Sequence, residues 1–570
     1  LTTELKWVVA DETHVEEAKR LAKVLDVPHV AAKILVSRGI LEPEKAEAFL
    51  YPKLDQLFDP FIMHGMEKGV ERVIKALKSN EKIMIYGDYD VDGITSAALM
   101  FLVLNRLGAD VSYYLPNRLA EGYGISEDGL IEAVNRKINL LISVDCGITA
   151  VNEVEVAREK GIACLITDHH EPGAEVPNAE VIINPKLDPP EMPGYELSAV
   201  GVAFKLAQAL YRRLKQDETE LEQHLDLVAL GTAADIVPLV DENRILTKFG
   251  LDQVARTTKP GLKALIFIAG IMGQKIGTGQ IVFILAPRIN AVGRLGDAQK
   301  AIKLLTTKDE TQANAIARIL NAENKRRKNI DEQTLNEALQ QIEGNVDLAT
   351  DRAIVLSSPG WHQGVIGIVA SRIVERYNRP TVMIAIDNNE GKGSARSITG
   401  FHIYNALREC DEYLIRYGGH KYAAGLSIHP SDIDTFRQKL NQVSTRMLSD
   451  DDLIPKLQID SELELDEISE ELVEVLEKFA PFGPQNMRPV FITSQAEVVG
   501  TPHRVGTNHL KLKVRRGDKV FDVIGFGFGD FITRLHGHPT YVDLAYVLEF
   551  NNWNGMNRIQ LRLKDIKLSA

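Results

Sequence analysis

The chain has 570 residues, 45% hydrophobic and 25% charged, the balance of a folded protein of several domains and not of a disordered one. No apolar run nears the ~18 residues of a membrane span, and the charged N-terminus LTTELKWVVADETHVEEAKR lacks the apolar core of a signal peptide. Cys146, Cys164 and Cys410 are too few for a disulfide framework or a four-thiolate zinc site, so a reducing cytoplasm is the expected setting. The net charge of −13 conceals an asymmetry: residues 486–570 carry 12 Lys/Arg against 7 Asp/Glu, a local +5 that leaves −18 on the rest. An acidic body with a basic C-terminal module calls for a reading by region, because clustered carboxylates are also a way to hold cations.

In chain order, residues 1–80 read as a helical segment, with apolar positions at helical spacing in VEEAKRLAKVL and GVERVIKALK. From Lys82 the period changes. Short apolar runs (KIMIYG, DVSYYL, LLISVD, ACLITD, AEVIINP) alternate with helical stretches, the pattern of a parallel sheet, and residues 81–305 are taken as one α/β domain. Residues 306–345 hold no proline and sparse apolar positions (Ile316, Leu320, Ile330, Leu335, Leu339, Ile342), which predicts a long, largely exposed connecting helix. A second α/β pattern covers 346–450. Residues 451–570 end in short strands, LKLKVRR, FDVIGFG, YVDLAYVLEF and RIQLRLKDI, separated by Gly, Asn and Asp as in a small barrel.

The chemistry concentrates at three strand ends. IMIYGDYDVDG puts Asp88, Asp90 and Asp92 in a tight turn after an apolar strand; LLISVD ends in Asp145; ACLITD ends in Asp168, followed by His169 and His170. Ligand sites of open parallel sheets form outside the carboxyl ends of the strands, so these residues converge on one edge. Carboxylates with one or two imidazoles favour Mn²⁺ or Mg²⁺ over a thiolate-bound metal, and this many acids suit two cations, an arrangement used for in-line attack on phosphodiesters. Asp235, in LVALGTAADIVPL, is either a further ligand or a turn residue. Arg118, Arg288, Arg294 and Arg396 each lie near Gly, Pro or Ser in what reads as a turn; guanidinium forks suit phosphate. Of the aromatic residues, Tyr123, Trp361 and Trp553 are stacking candidates, whereas Phe526 is expected in the core. KLKVRRGDK reads as a basic hairpin, suited to a phosphate backbone or simply an edge strand protected by charge.

GDYDVDG, VDCGI, TDHH and GTAADIVPL, in this order, resemble the four motifs of the DHH phosphoesterase superfamily. PNRLAEGYG, APRINAVGR, WHQGVIGIVASR, GSARS and GGHKYAAG extend the resemblance to the RecJ family of single-strand-specific 5′→3′ DNA exonucleases, over nearly the whole chain. The resemblance implies a parallel-sheet DHH domain and a DHH-associated α/β domain joined by the long helix, then a C-terminal OB-fold barrel. It implies two divalent cations, Mn²⁺ or Mg²⁺, held by Asp88, Asp90, Asp92, Asp145, His169 and Asp235, with Asp145 bridging. His170 would sit beside the scissile phosphate and Asp168 would orient His169. It further implies a 5′-phosphate pocket of Arg118, Ser394 and Arg396, substrate contacts from Arg288, Asn290 and Arg294, and His420 on the backbone. Gly418 and Gly419 would let the main chain approach the strand, and Trp553 would stack on a base. Single-stranded DNA is the implied substrate, and a single-stranded-DNA-binding protein and a helicase are the implied partners of a monomeric, nucleoid-associated enzyme of repair and recombination. The alternatives are a DHH oligoribonuclease, cyclic-dinucleotide phosphodiesterase or manganese pyrophosphatase, which would not need the basic barrel, and a non-catalytic single-strand-binding protein, which would have lost metal ligands.

Overall fold

A computed structural model describes residues 5–11, 14–118, 120–295, 297–387, 389–535, 540–553 and 556–569. The chain divides into two compact units, residues 57–453 and residues 1–56 with 454–570. The N-terminal stretch is not wholly helical: β1 (Lys6–Val9) precedes the helices Val15–Leu25, His29–Ser37 and Pro43–Leu50.

In the larger unit, β2 (Lys82–Gly87), β3 (Asp110–Tyr114), β4 (Leu140–Val144), β5 (Ala163–Thr167) and β6 (Val181–Ile183) form a parallel sheet in the order β3-β2-β4-β5-β6. The three central strands β2, β4 and β5 are buried almost throughout, as expected of a sheet covered on both faces. They are neighbours and parallel, so their carboxyl ends fall side by side. Helix Glu310–Asn345 begins at the Asp309 cap, whose carboxylate accepts from Thr311 N at 2.7 Å, and at ~1.5 Å per residue its 36 residues span ~54 Å. It is less exposed than its hydropathy predicts. One face is buried along its length, from Ala313 to Ile342, but the middle of that face is Asn324, Arg327, Asp331 and Thr334, which a hydrophobic count scores as solvent-facing.

Beyond the helix, β7 (Ile354–Ser358), β8 (Thr381–Asp387), β9 (Glu390–Arg396), β10 (Leu414–Gly419) and β11 (Ala423–Ile428) make a second, mixed sheet in the order β10-β11-β9-β8-β7. In the smaller unit, β12 (Lys456–Ile459) pairs in parallel with β1, and β13 (Ser461–Glu462) leads into β14 (Phe491–Val505), β15 (His509–Arg516), β16 (Lys519–Phe526), β17 (Tyr541–Trp553) and β18 (Met556–Leu568). The pairing β14-β15-β16-β18-β17 returns from β17 to β14 and closes a five-stranded barrel. β14 passed unread in the sequence because SQAEVVGTPHRV alternates poorly. The barrel core is continuous with Leu21, Ile34, Leu35 and Leu50 of the N-terminal helices. No described helix is long and apolar enough to cross a membrane.

Candidate functional site

The acidic motif is built by the strand-to-helix turn after β2. Asp90 caps helix Val91–Arg106, its Oδ1 accepting from Asp92 N at 2.9 Å and Gly93 N at 3.1 Å. A Cβ on Gly93 would lie 2.6 Å from the Asp88 carbonyl oxygen, so the motif must end in glycine for the turn to close. Asp92, on the first turn, accepts from Ala199 N at 2.8 Å and Val200 N at 2.9 Å, which locks it to the start of helix Ala199–Leu214. Asp145 follows β4 in the left-handed conformation at φ 64°, a region Asp tolerates better than most residues. Asp235 ends helix Leu225–Asp235.

These residues meet. Ligand atoms of Asp88, Asp90 and Asp145, of Asp92, His169 and Asp235, and of Asp145, His169 and His170 form three groups, each within 4.8 Å. Asp145 and His169 are each shared by two of them. The donors fit hard divalent cations, and two buried atoms, Asp88 Oδ1 and His169 Nε2, have no hydrogen-bond partner among the described residues. His169 Nε2 lies 3.2 Å from Asp145 Oδ1 and 3.7 Å from Asp235 Oδ2 without bonding either. Burial and mutual repulsion push the carboxyls of Asp88, Asp92 and Asp145 well up, and Asp235 to about 7. Burial, with the charge of His170, lowers His169 to about 3.

Asp168 is placed differently from the reading that gave it to His169. Its Oδ2 accepts from Ile148 N at 3.0 Å; its Oδ1 accepts from His169 N at 2.8 Å and lies 2.7 Å from His170 Nδ1. The imidazole it holds is therefore that of His170. Burial pulls His170 down, but the bond to Asp168 outweighs it and lifts it to about 9. Tyr123, a stacking candidate by sequence, also belongs to this site: its hydroxyl sits 3.1 Å from His170 Nδ1 and 3.3 Å from the Asp145 carbonyl.

The cationic side chains gather in a cavity of about 660 Å³ in the same unit, lined by Arg118, Arg294, Ser394, Arg396, Lys392 and Arg416 among others. Arg118 lies in a turn and stacks over the Tyr89 ring at 5.1 Å. Arg294 and Arg288 are on helix Ala286–Leu295 and Arg396 is on β9, not in turns. The π-helical stretch Ile281–Leu285 opens the path ahead of Pro287, so the helix runs through what reads as a break. Pairing with β8 and β11 overrides the weak strand propensity of EGKGSAR. Burial and the neighbouring Arg118, Arg327 and Arg396 lower Arg294 to about 10. Arg396 donates to Ser394 Oγ at 3.0 Å.

Other expected contacts fall elsewhere. Arg288 turns to Asn321 Oδ1 at 3.1 Å and does not line the cavity; Asn290 is half-buried on the same helix. His420 is exposed after β10. A Cβ on Gly419, at φ 144°, would meet Ala423 O and Ala424 Cα at 2.5 Å, so its missing side chain serves the fold, whereas a Cβ on Gly418 would meet nothing within 4 Å. Trp361 is buried and donates to Glu337 at 2.9 Å. Phe526, expected in the core, is 57% exposed beside His509. The side chain of Trp553 lies outside the described residues. Tyr123 as a histidine partner, Lys392 and Arg416 escaped the sequence reading; only the strand register aligns the last two.

The DHH family, N-terminal domain, matches residues 82–232, the DHHA1 domain 350–445 and the RecJ OB domain 459–565. The single-stranded-DNA-specific exonuclease RecJ of Bacillus subtilis (strain 168) is 37% identical over 573 residues, covering 100% of this chain and 72% of that protein. The chain belongs to the RecJ family. Its fold is similar to the crystal structure of Thermus thermophilus RecJ in complex with Mn²⁺, with a TM-score of 0.85 and 30% identity over 99% of this chain and 79% of that one. The Mg²⁺ complex of the same protein gives 0.79 and 29% over 99% and 78%. The carboxylate–imidazole set found here is a donor set for that class of cation.

Proposed function

We propose that the chain is a single-stranded-DNA-specific exonuclease that works 5′→3′, releases 5′-mononucleotides and serves DNA repair and recombination. The observation that carries this reading is one compact unit holding a carboxylate–imidazole cluster with orphaned buried atoms, electrostatically coupled to a pocket of mutually repelling guanidiniums. Arg118 acts on Asp88, and Asp90 on Arg294. An enzyme that cuts next to a strand end needs both chemistries at one nucleotide's reach.

Asp88, Asp90, Asp145, Asp92, His169 and Asp235 would hold two divalent cations, with Asp145 common to both. Bound cations supply Lewis-acid activation of water and phosphate and offset the charge of the leaving oxygen. Asp168, fixed by Ile148 N–H, orients the His170 imidazole and favours its protonated form, so that the ring can face the scissile phosphate. Tyr123 limits the swing of that ring. Arg118, Ser394 and Arg396 would grip the 5′-terminal phosphate with bidentate, charge-assisted bonds, and Arg294 reinforces their field. Asn290, Arg288 and His420 are assigned to the strand's backbone, and the outward Lys511 and Lys513 of β15 to single-stranded DNA further along. We read residues 81–305, 346–450 and 451–570 as the catalytic, end-binding and strand-binding parts, linked by 306–345 and preceded by 1–80. A monomer in the cytoplasm, assisted by a single-stranded-DNA-binding protein and a helicase, fits this work.

The test is an assay of 5′- and 3′-labelled single strands, duplexes and dinucleotides with Mn²⁺ and with EDTA. Mononucleotides from the 5′ end of single strands, abolished by EDTA, are expected. Preference for dinucleotides would move the chain to the small-substrate DHH phosphoesterases, and binding without hydrolysis would make it a scaffold.

A further inference from the structure

The cavity is much larger than a terminal phosphate requires. At about 660 Å³ it falls among pockets that hold whole small molecules, ~300–1,000 Å³. Its floor is the face of the β10-β11-β9 sheet, and the strand register shows what lies along it. Arg396 is opposite Ala423 at one end; Ser394, Gly425 and Gly418 form the next row; Lys392, Ser427 and Arg416 lie opposite one another in the row beyond. Residues 392, 394 and 396 share one face of β9 by the alternation of a strand. The far row is tied together: Ser427 Oγ lies 3.1 Å from Lys392 Nζ and 3.2 Å from Arg416 Nε. Glu390 pairs with Lys392, leaving Arg416 as the net charge of the row. Between the rows a Cβ on Gly418 would meet nothing, and one on Gly425 nothing closer than 3.9 Å, so beside the small Ser394 the floor is open.

We propose that the row Lys392–Ser427–Arg416 is a second phosphate subsite, which takes the 5′-terminal phosphate of a strand threaded past Arg118, Ser394 and Arg396. This rests on the reading of those three as the first end-phosphate site. Lys392 and Arg396 are four residue steps apart on the strand, ~13 Å at 3.2–3.4 Å per step. That exceeds any single nucleotide step, so a phosphate on the far row belongs to a nucleotide at least two positions upstream. The strand then presents a deeper bond to the acidic cluster. The reaction is unchanged: a water oxygen bonds to phosphorus, the P–O3′ bond breaks, and the departing 3′ oxygen takes up a proton. The product in this register is a 5′-phosphorylated trinucleotide or longer. The glycine floor gives the extra nucleotides room, and the Glu390 pairing makes the far site weaker than the near one, so the short-oligonucleotide register is the minor one.

The experiment follows 5′-³²P-labelled 20-mers with Mn²⁺ in single-turnover conditions and resolves mono-, di- and trinucleotide products. Wild type is expected to yield a measurable trinucleotide fraction beside the mononucleotide. Arg416→Gln and Lys392→Gln should each lower that fraction about tenfold relative to mononucleotide, and Glu390→Gln should raise it. The gain in Glu390→Gln keeps the idea testable if a loss variant fails to fold, which a thermal melt reports. Mononucleotide as the sole product of wild type and of Glu390→Gln overturns the second subsite while leaving the exonuclease reading intact. So does a fraction that none of the three substitutions moves. No cleavage of any length from wild type would instead sink the exonuclease reading beneath it.

Discussion

Asp88, Asp145 and Asp168 each take the position directly after a buried parallel strand, whereas Arg118, Arg294, Arg396 and Arg416 come from a turn, a helix and two antiparallel strands. In the first region each carboxylate is delivered by its own strand, and three neighbouring strands align them. In the second, the cations share a cavity only because the lobe built on β7–β11 has folded beside the helix Ala286–Leu295. The acidic side is therefore a fixture of local sequence and the basic side a product of tertiary assembly. Damage to the first should remove the reaction; damage to the second should change which end is chosen.

Asp145 offers the largest expected effect. Asp145→Asn keeps the tolerance for φ 64° and nearly the same volume, but removes the charge shared by two of the three ligand groups. kcat/KM on single strands should fall by ~10²–10³ or more, with the dissociation constant for a 20-mer changed less than threefold. Cleavage above a tenth of the wild-type rate at saturating Mn²⁺ would show that Asp145 does not join the two halves of the cluster.

On the basic side, Arg396→Ala or Arg118→Ala should leave cation binding intact and lower the preference for a 5′-phosphate over a 5′-hydroxyl by about ten- to a hundredfold, the worth of one charge-assisted contact. Rates on matched oligonucleotides measure it. If both variants keep the wild-type preference, the cavity is not where the end is held.

The same contrast explains how much was legible before the structure. DYDVDG, VD and TDHH show themselves because a carboxylate after an apolar run breaks a strong local pattern. The long helix was visible by its length, but its buried middle, Asn324, Arg327, Asp331 and Thr334, was not, since only tertiary contacts distinguish a polar residue inside from one outside. The partner of Asp168 was misread for a related reason: which of two adjacent imidazoles a carboxylate meets depends on ring orientation, which a local motif does not record. Lys392, Ser427 and Arg416 are widely spaced in the sequence and become neighbours through register alone.

A pH experiment probes the acidic side without mutation. The raised groups, Asp88, Asp92, Asp145, Asp235 and His170, have folded values above their unfolded ones. The stability they lend is complete at low pH and is lost as pH rises through the folded values, about 7 for Asp235 and about 9 for His170. His169, lowered to about 3, acts oppositely but only below about 6.5. In EDTA the melting temperature should therefore fall from pH 6.5 to 9. Cations should restore it, with a gain in Tm that grows over that window by ~1 °C per kcal/mol. An equal Mn²⁺ gain at pH 6.5 and 8.5 would mean that the repulsion is not what the cations relieve.

The smallest expected effect lies in the barrel, which extends the comparison to a surface where charge is expected to serve only affinity. Along β15 the residues alternate: Leu510, Leu512 and Val514 are buried in the barrel, while Lys511, Lys513 and Arg515 point outward. Arg515 is neutralised by Glu497 at 2.7 Å and Arg516 by Glu464 at 2.8 Å, and Lys519 is spent on the carbonyls of Asp466 and Ile468. Lys511 and Lys513 make no such pair among the described residues, so they are the cations of this hairpin available to a phosphate backbone. Deleting the barrel from residue 486 would not isolate them, because Leu21, Ile34 and Leu35 of the N-terminal helices share its core. Lys511→Ala with Lys513→Ala leaves that core untouched. Each lost contact should reduce the slope of log K against log salt by about 0.7 for a single strand, so the pair should remove ~1.4 and weaken a 20-mer several-fold at moderate salt. Cleavage of tetranucleotides, too short to need the barrel, should be unchanged, and Arg515→Ala should move the slope less than either lysine. A slope that stays the same in the double variant would mean that the strand does not run along β15.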